Sequence, residues 1–284
     1  MFTWMSFRIS RASLQLAAVV RCCRRHRSGA AGLNDGSPSL ESSAPRATGR
    51  TLFCPAFAVG LVDIIGDEAH HALRVLRLGV GDRVRVADGA GSAASAQVIS
   101  VSRQRLSLHV TEVHCVPASR LSLLTVTLAP PKGGRWDDAV RSLTELGVGA
   151  IQPLACERGF NVGTAPADVA RTLRVATEAL KQCRRGWLPT LLQPTTVVEL
   201  AAAAADGSCI VCFGDLGGGQ ARPAQPPRRT ILAIGPEGGF SPMERDALLF
   251  AGATPLRLAS PVLRIETAAI AAAAVWATAW DAGA

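Results

Sequence analysis

The 284-residue sequence has no apolar run as long as the ~18 residues that a membrane-spanning helix needs, so it predicts a soluble protein. It also lacks paired metal-ligand motifs. Cys209 and Cys212 form one Cys-x-x-Cys pair, and His70-His71 has no second ligand pair, which is too few for a four-ligand zinc site. The eight cysteines are scattered, as is typical of proteins in a reducing compartment. We therefore predict no metal site, and we expect Cys209 and Cys212 to be buried cysteines of a strand.

Little net charge lies outside the first 50 residues. That segment contains eight arginines and two acids, and so contributes +6 of the total +8. The rest of the chain is nearly balanced, with 22 basic and 20 acidic groups. Any contact with nucleic acid in this part must therefore come from a local basic patch and not from the overall charge.

Residues 1–49 are rich in Arg, Ser and Ala and contain no acid before Asp35. The apolar stretch at 14–20 is short and precedes most of the charge, unlike the order in a signal peptide. Two interpretations stay open: an organellar transit peptide, or an upstream start codon assigned to a bacterial gene. We expect a disordered extension that is not part of the fold. The predicted location is cytoplasmic, or mitochondrial or plastid if the extension is a transit peptide.

Residues 50–118 have the pattern of a small β-barrel, with short β-rich runs and a turn at Asp88-Gly89. The predicted strands are 61–65, 83–87, 94–102 and 106–113, and the predicted helix is 70–78. Arg74 and Arg77 would share one face of that helix, and Arg83 and Arg85 one face of a strand. These four arginines could bind phosphates, or they could form an ordinary solvated face.

Residues 119–284 alternate between predicted strands and helices, which is typical of an α/β domain with a parallel sheet. Strands are predicted at 121–129, 150–154, 208–213, 230–234 and 254–258. Helices are predicted at 136–146 and 166–185, from Ser241-Pro242, and from about Arg264 to the end. Residues 214–229 are predicted to be a loose loop. In the last helix, Trp276 and Trp280 are expected to be buried anchors.

Two loops of this domain are expected to meet at one edge of the sheet. Gly235-Pro236-Glu237-Gly238-Gly239 follows the strand 230–234, and Ala259-Ser260-Pro261 follows the strand 254–258. Ligands of such sheets bind beyond the carboxyl ends of the strands. The glycine loop is neither a Walker A loop nor a Rossmann fingerprint, and its spacing alone also fits an ordinary turn.

The segments GPEGGFSPMERD (235–246) and LASPVLRIETA (258–268) resemble the C-terminal signature of the ribosomal RNA small subunit methyltransferase E family, within the knotted SPOUT methyltransferases. The sequence departs from the usual second motif at Ala259, Ser260 and Pro261. Residues 131–159 and 178–189 resemble further motifs of the family, and residues 66–91 resemble its PUA-like RNA-binding domain. The resemblance covers about residues 50–281, in several motifs in the right order.

The resemblance implies a SPOUT α/β domain with a trefoil knot, a PUA-like β-barrel, and a homodimer formed in part by the last helix. The implied reaction is methyl transfer from S-adenosylmethionine to N3 of one uridine in 16S rRNA of the small ribosomal subunit. The cofactor would lie against the two loops, at Gly235, Pro236, Glu237, Gly238, Gly239, Leu258, Ala259, Val262 and Leu263. Arg158, Gln182 and Arg185 match family positions and are candidates for RNA contacts.

Three charged groups near these loops are catalytic candidates. Arg264 could bind the uracil carbonyls, and Glu237 or Glu266 could accept the N3 proton. Each also has a structural alternative: Glu266 as a cap of the last helix, Glu237 as a support of the glycine loop, and Arg264 as an ion-pair partner. Two other functions stay open, namely a related SPOUT methyltransferase acting on another RNA or base atom and a non-catalytic RNA-binding protein. The altered turn at Ala259 to Pro261 is the only sequence feature that favours the latter.

Overall fold

The computed structural model describes residues 49–159 and 166–281, and it divides the chain into two compact units between Val116 and Pro117. We predicted a domain boundary two residues later, after residue 118. The predicted extension at 1–49 lies outside the described residues, except for Gly49.

Over its described residues, 49–116, the first unit is a five-stranded sheet with one helix. Its elements are β1 (Thr51–Phe53), β2 (Gly60–Ile65), α1 (Gly66–Arg74), β3 (Arg83–Ala87), β4 (Ser92–Val101) and β5 (Arg105–Cys115). The strand order is β1-β3-β4-β5-β2, and all neighbours are antiparallel except β1 and β3. The predicted β-rich unit and its hairpin are thus confirmed. In the β3–β4 turn, the Asp88 carboxylate accepts the N–H groups of Ala90 and Ser92 at 2.7 and 2.8 Å.

The prediction of a helix at 70–78 was wrong at both ends. Helix α1 already ends at Arg74, and Arg77 has a left-handed backbone with φ of 53°. Arg74 and Arg77 therefore do not share a helix face. Leu78 explains the early end, because its side chain is buried in the core of this unit and its N–H donates to the Ala72 carbonyl. Burying this side chain is favourable enough to stop a helix that the local sequence would continue.

The second unit is a parallel sheet with helices. Its strands are β6 (Leu124–Leu128), β7 (Ala150–Ala155), β8 (Thr190–Leu191), β9 (Thr195–Thr196), β10 (Ile210–Gln220), β11 (Thr230–Ile234) and β12 (Thr254–Arg257). Its helices are a 3-10 turn (Arg120–Leu123), α2 (Arg135–Leu146), α3 (Pro166–Cys183), α4 (Val197–Ala205), α5 (Pro242–Phe250) and α6 (Ile265–Asp281). The order β12-β10-β11-β6-β7-β8 is parallel throughout, and β9 pairs with β7. This confirms the predicted α/β class.

The core of this unit lies between the sheet and its helices. The strand β6 is buried along almost its whole length, as expected of a parallel strand that is covered on both faces. Helix α6 buries Trp276 and Trp280 completely, which confirms the predicted anchors. The Trp280 indole N–H also donates to the Ala224 carbonyl at 3.0 Å. Buried alanines on the same helix allow it to pack closely against its neighbours.

Three sequence predictions are corrected in this unit. Residues 120–123 form a 3-10 turn that is capped by Ser119, and the strand begins only at Leu124. Strand β10 continues to Gln220 through a bulge between Gly214 and Gly219, where a loop had been predicted. This extension forms because the segment pairs with β12, a partner that the local sequence does not reveal. Of the two cysteines, Cys212 is buried in β10, whereas Cys209 precedes the strand and is half-buried.

Candidate functional site

A cavity of about 350 Å³ lies at the carboxyl ends of β11 and β12, next to the bulge of β10. Most of its wall comes from three chain segments: Gly214–Leu216 in the bulge of β10, Gly235–Phe240 after β11, and Leu258, Ala259 and Pro261–Leu263 after β12. The size is within the ~300–1,000 Å³ that is typical of small-molecule sites. The two loops that the sequence predicted to meet thus form one cavity, together with a third segment that was not predicted.

The glycine loop is held in a tight turn. The Gly239 N–H donates to the Pro236 carbonyl at 2.8 Å, and Gly239 has φ of 69°, which favours glycine. A Cβ atom on Gly235 would lie 3.0 Å from the Phe240 ring, so this position also favours glycine. The turn therefore presents its backbone and the exposed Glu237 side chain at the cavity.

Helix α5 begins directly after this loop, as the Ser241-Pro242 pair predicted. Ser241 accepts the N–H of Glu244, and the Glu244 carboxylate accepts the N–H of Ser241 at 2.8 Å, which completes a capping box. Because Ser241 is buried, this cap fixes the point at which the glycine loop ends.

The loop after β12 forms the opposite wall. Residues 258–264 have no regular secondary structure, and Ala259 and Pro261 of the altered turn both line the cavity. The departure from the usual family motif therefore does not close the cavity. Val262, which is 70% exposed, lies at its rim.

All nine residues that were predicted to bind a cofactor line this one cavity. They are Gly235, Pro236, Glu237, Gly238, Gly239, Leu258, Ala259, Val262 and Leu263. The residues come from two loops, and the sheet brings these loops together. Their assignment to a cofactor stays a prediction.

One charged pair in the cavity wall was not predicted from the sequence. Asp215, at the bulge of β10, accepts the N–H of Gly217 at 2.7 Å and the Nε–H of Arg245 at 2.5 Å. Both Asp215 and Arg245 line the cavity, and the Asp215 side chain is only 13% exposed. The signal in the sequence was a carboxylate just beyond an apolar strand run. It went unrecognised because the following residues were assigned to a loose loop.

The three catalytic candidates have different environments. Glu237 is exposed and lines the cavity. Arg264 is exposed and directly precedes α6, where its carbonyl accepts the N–H of Ala268. Glu266 is half-buried in the first turn of α6, and its Oε2 atom is buried without a hydrogen-bond partner among the described residues. An unpaired buried carboxylate oxygen is costly, because burial removes the water that would otherwise donate to it.

Arg264 and Glu266 do not themselves line the cavity, although Leu263 and Ala268 on either side of them do. Within the described part of the chain, no ion pair joins Arg264 to Glu237 or to Glu266. The ion-pair alternative for Arg264 therefore has no support in these contacts.

The three RNA-binding candidates of the second unit lie in separate places. Arg158 reaches the glycine loop, where its guanidinium donates to the Gly238 carbonyl at 3.4 Å. Gln182 is exposed on α3. Arg185 donates to the Glu145 and Leu146 carbonyls at the end of α2, so its guanidinium caps that helix. Of these three residues, only Arg158 contacts the glycine loop, and it does not itself line the cavity.

In the first unit, Arg83 and Arg85 lie on the same face of β3, as predicted, with Arg83 exposed and Arg85 half-buried. Arg74 and Arg77 are exposed, one at the end of α1 and the other beyond it. Their contact with RNA stays a prediction.

The described residues contain no cluster of three or more His, Cys, Asp or Glu side chains that could hold a metal ion. None of their helices is long and apolar enough to cross a membrane. Beside the site, burial and, to a lesser extent, the nearby Glu244 carboxylate raise the pKa of the Cys156 thiol to about 12. This thiol is therefore protonated at neutral pH and is a poor nucleophile.

Comparison with known proteins identifies the family of each of the two units. Residues 118–277 match the RNA methyltransferase domain family, and residues 64–111 match the RNA methyltransferase PUA domain. A ribosomal RNA small subunit methyltransferase E of Mycobacterium bovis is 32% identical over 245 residues, which cover 80% of this chain and 90% of that protein. The chain belongs to this methyltransferase E family.

Two further members of the family are similar to this chain. The Synechocystis protein of the same name is 32% identical over 209 residues, which cover 71% of this chain and 67% of that protein. The crystal structure of the Neisseria gonorrhoeae methyltransferase E, bound to S-adenosyl methionine, superimposes with a TM-score of 0.71 at 26% identity. That match covers 81% of this chain and 98% of the neisserial one. The PUA-like and α/β units predicted from the resemblance are therefore confirmed.

Proposed function

We propose that this protein transfers a methyl group from S-adenosylmethionine to N3 of one uridine in 16S rRNA of the small ribosomal subunit. Family membership makes it an S-adenosylmethionine-dependent rRNA methyltransferase. The observation that carries the proposal for this site is the convergence of all nine predicted cofactor residues on one cavity. The choice of uridine N3 rests on the family resemblance.

The cavity has the chemistry that S-adenosylmethionine requires. Backbone of the glycine loop and apolar side chains such as Ile234, Leu256 and Leu258 line it, and they offer amides and apolar contacts to an adenine ring. The carboxylates of Asp215 and Glu237 are also in its wall, and they suit a ligand that carries hydroxyl groups and positive charge. When bound, this cofactor supplies an electrophilic methyl group.

The residues of the chain have two tasks toward the uridine. The first is positioning, because a nucleophilic displacement requires nitrogen, methyl carbon and sulfur to be in line. The second is to remove the N3 proton, because the neutral imide is a poor nucleophile. We assign Arg264 to the uracil carbonyls, where a guanidinium favours the imide anion. We assign Glu266, which lies in the first turn of α6 near the cavity residue Ala268, to accept the proton, with Glu237 in the cavity wall as the alternative.

Three further parts of the proposal rest on the family resemblance alone. They are a homodimer, a trefoil knot that includes the two cavity loops, and a cytoplasmic location, with an organellar location as the alternative. Sedimentation of the purified protein would test the homodimer. We also propose that Arg158 contacts RNA at the cavity, because its guanidinium already lies against Gly238.

A non-catalytic RNA-binding protein is the less favoured function. Its sequence support was the altered turn at Ala259 to Pro261, yet Ala259 and Pro261 are part of an open cavity wall. No contact of the described residues favours it.

The decisive experiment is a reaction of the purified protein with labelled S-adenosylmethionine and 30S subunits from a strain that lacks this modification. The product would be mapped by mass spectrometry. We expect 3-methyluridine at one position of 16S rRNA. A different labelled base would overturn the N3 assignment. Cofactor binding without label in 16S rRNA would indicate that the substrate is another RNA. The absence of both cofactor binding and methyl transfer would favour the non-catalytic function.

A further inference from the structure

The Asp215–Arg245 pair is the only ion pair among the described residues with both partners in the cavity wall. From its geometry we infer that Asp215 is a specificity-determining residue that accepts hydrogen bonds from the ribose hydroxyls of the cofactor. The inference rests on the proposed function, because it assumes that S-adenosylmethionine occupies this cavity.

The carboxylate of Asp215 is held from the protein side through both oxygens. Oδ1 accepts the N–H of Gly217, and Oδ2 accepts the Nε–H of Arg245. A carboxylate has about four acceptor positions, so each oxygen keeps one for another donor. Since the side chain is only 13% exposed and lies in the cavity wall, the remaining acceptors are available chiefly to a bound molecule.

The bulge of β10 fixes the direction of this carboxylate. Gly218 lies against the backbone of β12, where a Cβ atom would be only 2.6 Å from the Pro255 carbonyl carbon. The strand β12 therefore holds the bulge in place, and the Gly217 N–H in the bulge orients Asp215. A hydrogen-bonding group that is fixed in advance binds its ligand with less loss of conformational entropy.

Charge distinguishes the ribose from the other polar parts of the ligand. Arg245 neutralises Asp215, so this carboxylate attracts a cation such as the sulfonium or the α-ammonium group less than a free carboxylate would. It remains a strong acceptor for neutral O–H donors. Two neighbouring hydroxyls match two acceptor positions on one carboxylate. A carboxylate that binds ribose hydroxyls is a general solution in nucleotide-binding sites.

The test measures ligand affinity by calorimetry for the full chain and for Asp215→Asn. The ligands are S-adenosylmethionine, S-adenosylhomocysteine and the 2′,3′-dideoxyribose analogue of S-adenosylhomocysteine. We expect the variant to bind both hydroxyl-bearing ligands about 10-fold or more weakly, because a charge-assisted hydrogen bond is lost. We expect it to bind the dideoxy analogue as tightly as the wild-type protein does. Asp206→Asn is the matched control, because Asp206 accepts the N–H of Ser208 in a similar turn that is not part of the cavity wall.

Three results would overturn the inference. Equal losses for all ligands would make Asp215 a structural residue of the bulge. A loss of affinity confined to S-adenosylmethionine would indicate that Asp215 interacts with the sulfonium and not with the ribose. Equal affinity of the wild-type protein for S-adenosylhomocysteine and its dideoxy analogue would exclude a ribose contact without any variant, even if Asp215→Asn failed to fold. If the wild-type protein bound none of these ligands, the proposed function itself would fail.

Discussion

Glu244 accepts the backbone N–H of Glu157 at 2.8 Å, although the two residues are far apart in the sequence. The bond uses Oε1 of Glu244, while Oε2 accepts the N–H of Ser241 in the capping box of α5. One carboxylate therefore ties the end of the glycine loop to the segment that carries Arg158. Arg158 in turn donates to the Gly238 carbonyl, so two hydrogen bonds join this segment to the glycine loop and its helix cap.

This relationship predicts that Glu244→Gln destabilises the protein by about 1–2 kcal/mol. Glutamine has one carbonyl oxygen, so its amide NH₂ group would face either the N–H of Glu157 or that of Ser241. Denaturant unfolding would measure the loss. Glu199→Gln is the matched control, because Glu199 forms the capping box of α4 through Oε2 alone and a glutamine carbonyl can replace that oxygen. Equal losses in the two variants would contradict the prediction.

Glu266→Gln should lower the rate constant of methyl transfer by about 10²–10⁴-fold, as expected when a general base is removed. The affinity for S-adenosylmethionine, measured separately, should change little. The defect should shrink at alkaline pH, where the uracil imide loses its proton to the solvent. The free energy of unfolding should not fall, because the variant removes a charge whose buried oxygen has no partner. Glu237→Gln is the comparison, and a larger pH-dependent defect in that variant would make Glu237 the base.

Gly147→Ala should destabilise the protein more than Gly207→Ala does. Both glycines follow a helix and have positive φ, 88° and 67°, so each alanine would be strained by about 1–2 kcal/mol. A Cβ atom on Gly147 would also overlap the guanidinium of Arg185, whereas one on Gly207 would meet no atom within 4 Å. The guanidinium can move aside, but it would then lose its hydrogen bonds to the Glu145 and Leu146 carbonyls, so we expect a further loss of about 1–3 kcal/mol for Gly147→Ala.

Thermal or denaturant unfolding measures both losses. The double variant Gly147→Ala/Arg185→Ala should lose less free energy of unfolding than the sum of the losses in the two single variants, because removing the guanidinium removes the overlap. Strict additivity would show that the guanidinium does not restrict this position.

The stability of the protein should fall between pH 9 and pH 11 through Cys212. Burial raises the pKa of this thiol from 9.0 to about 11. Above pH 9 the unfolded chain loses the proton while the folded protein retains it, so the contribution is complete below pH 9 and is lost as the pH rises to 11. The loss is on the order of 2 kcal/mol. Cys212→Ala should give a flatter stability curve over this window, and parallel curves would refute the assignment.

Local signals in the sequence were sufficient for some elements of both units. The predicted bounds of β3 and β11 were the observed ones, and Ser241-Pro242 marked the start of α5. In each case the pattern depends on residues that are close in sequence, such as alternating burial or a helix cap. The loops after β11 and β12 met as predicted, because parallel strands bring their carboxyl ends to one edge.

The sequence did not reveal the features that depend on distant partners. The extension of β10 to Gln220 requires pairing with β12, and without it Asp215 could not be placed in the cavity wall. The end of α1 depends on the burial of Leu78 in the core of the first unit. The contact of Glu244 with Glu157 joins two segments whose sequences give no sign of each other.

The strand β11 pairs with β6 on one side and with β10 on the other, all in parallel. Its residue Thr230 is aligned with Leu124, near the beginning of the second unit. Such non-local pairing slows folding, because a long segment of chain must be ordered before the contact forms. During synthesis, β6 leaves the ribosome well before β11 exists. The cavity, which needs β10, β11 and β12 together, is therefore among the last parts of the protein to take shape.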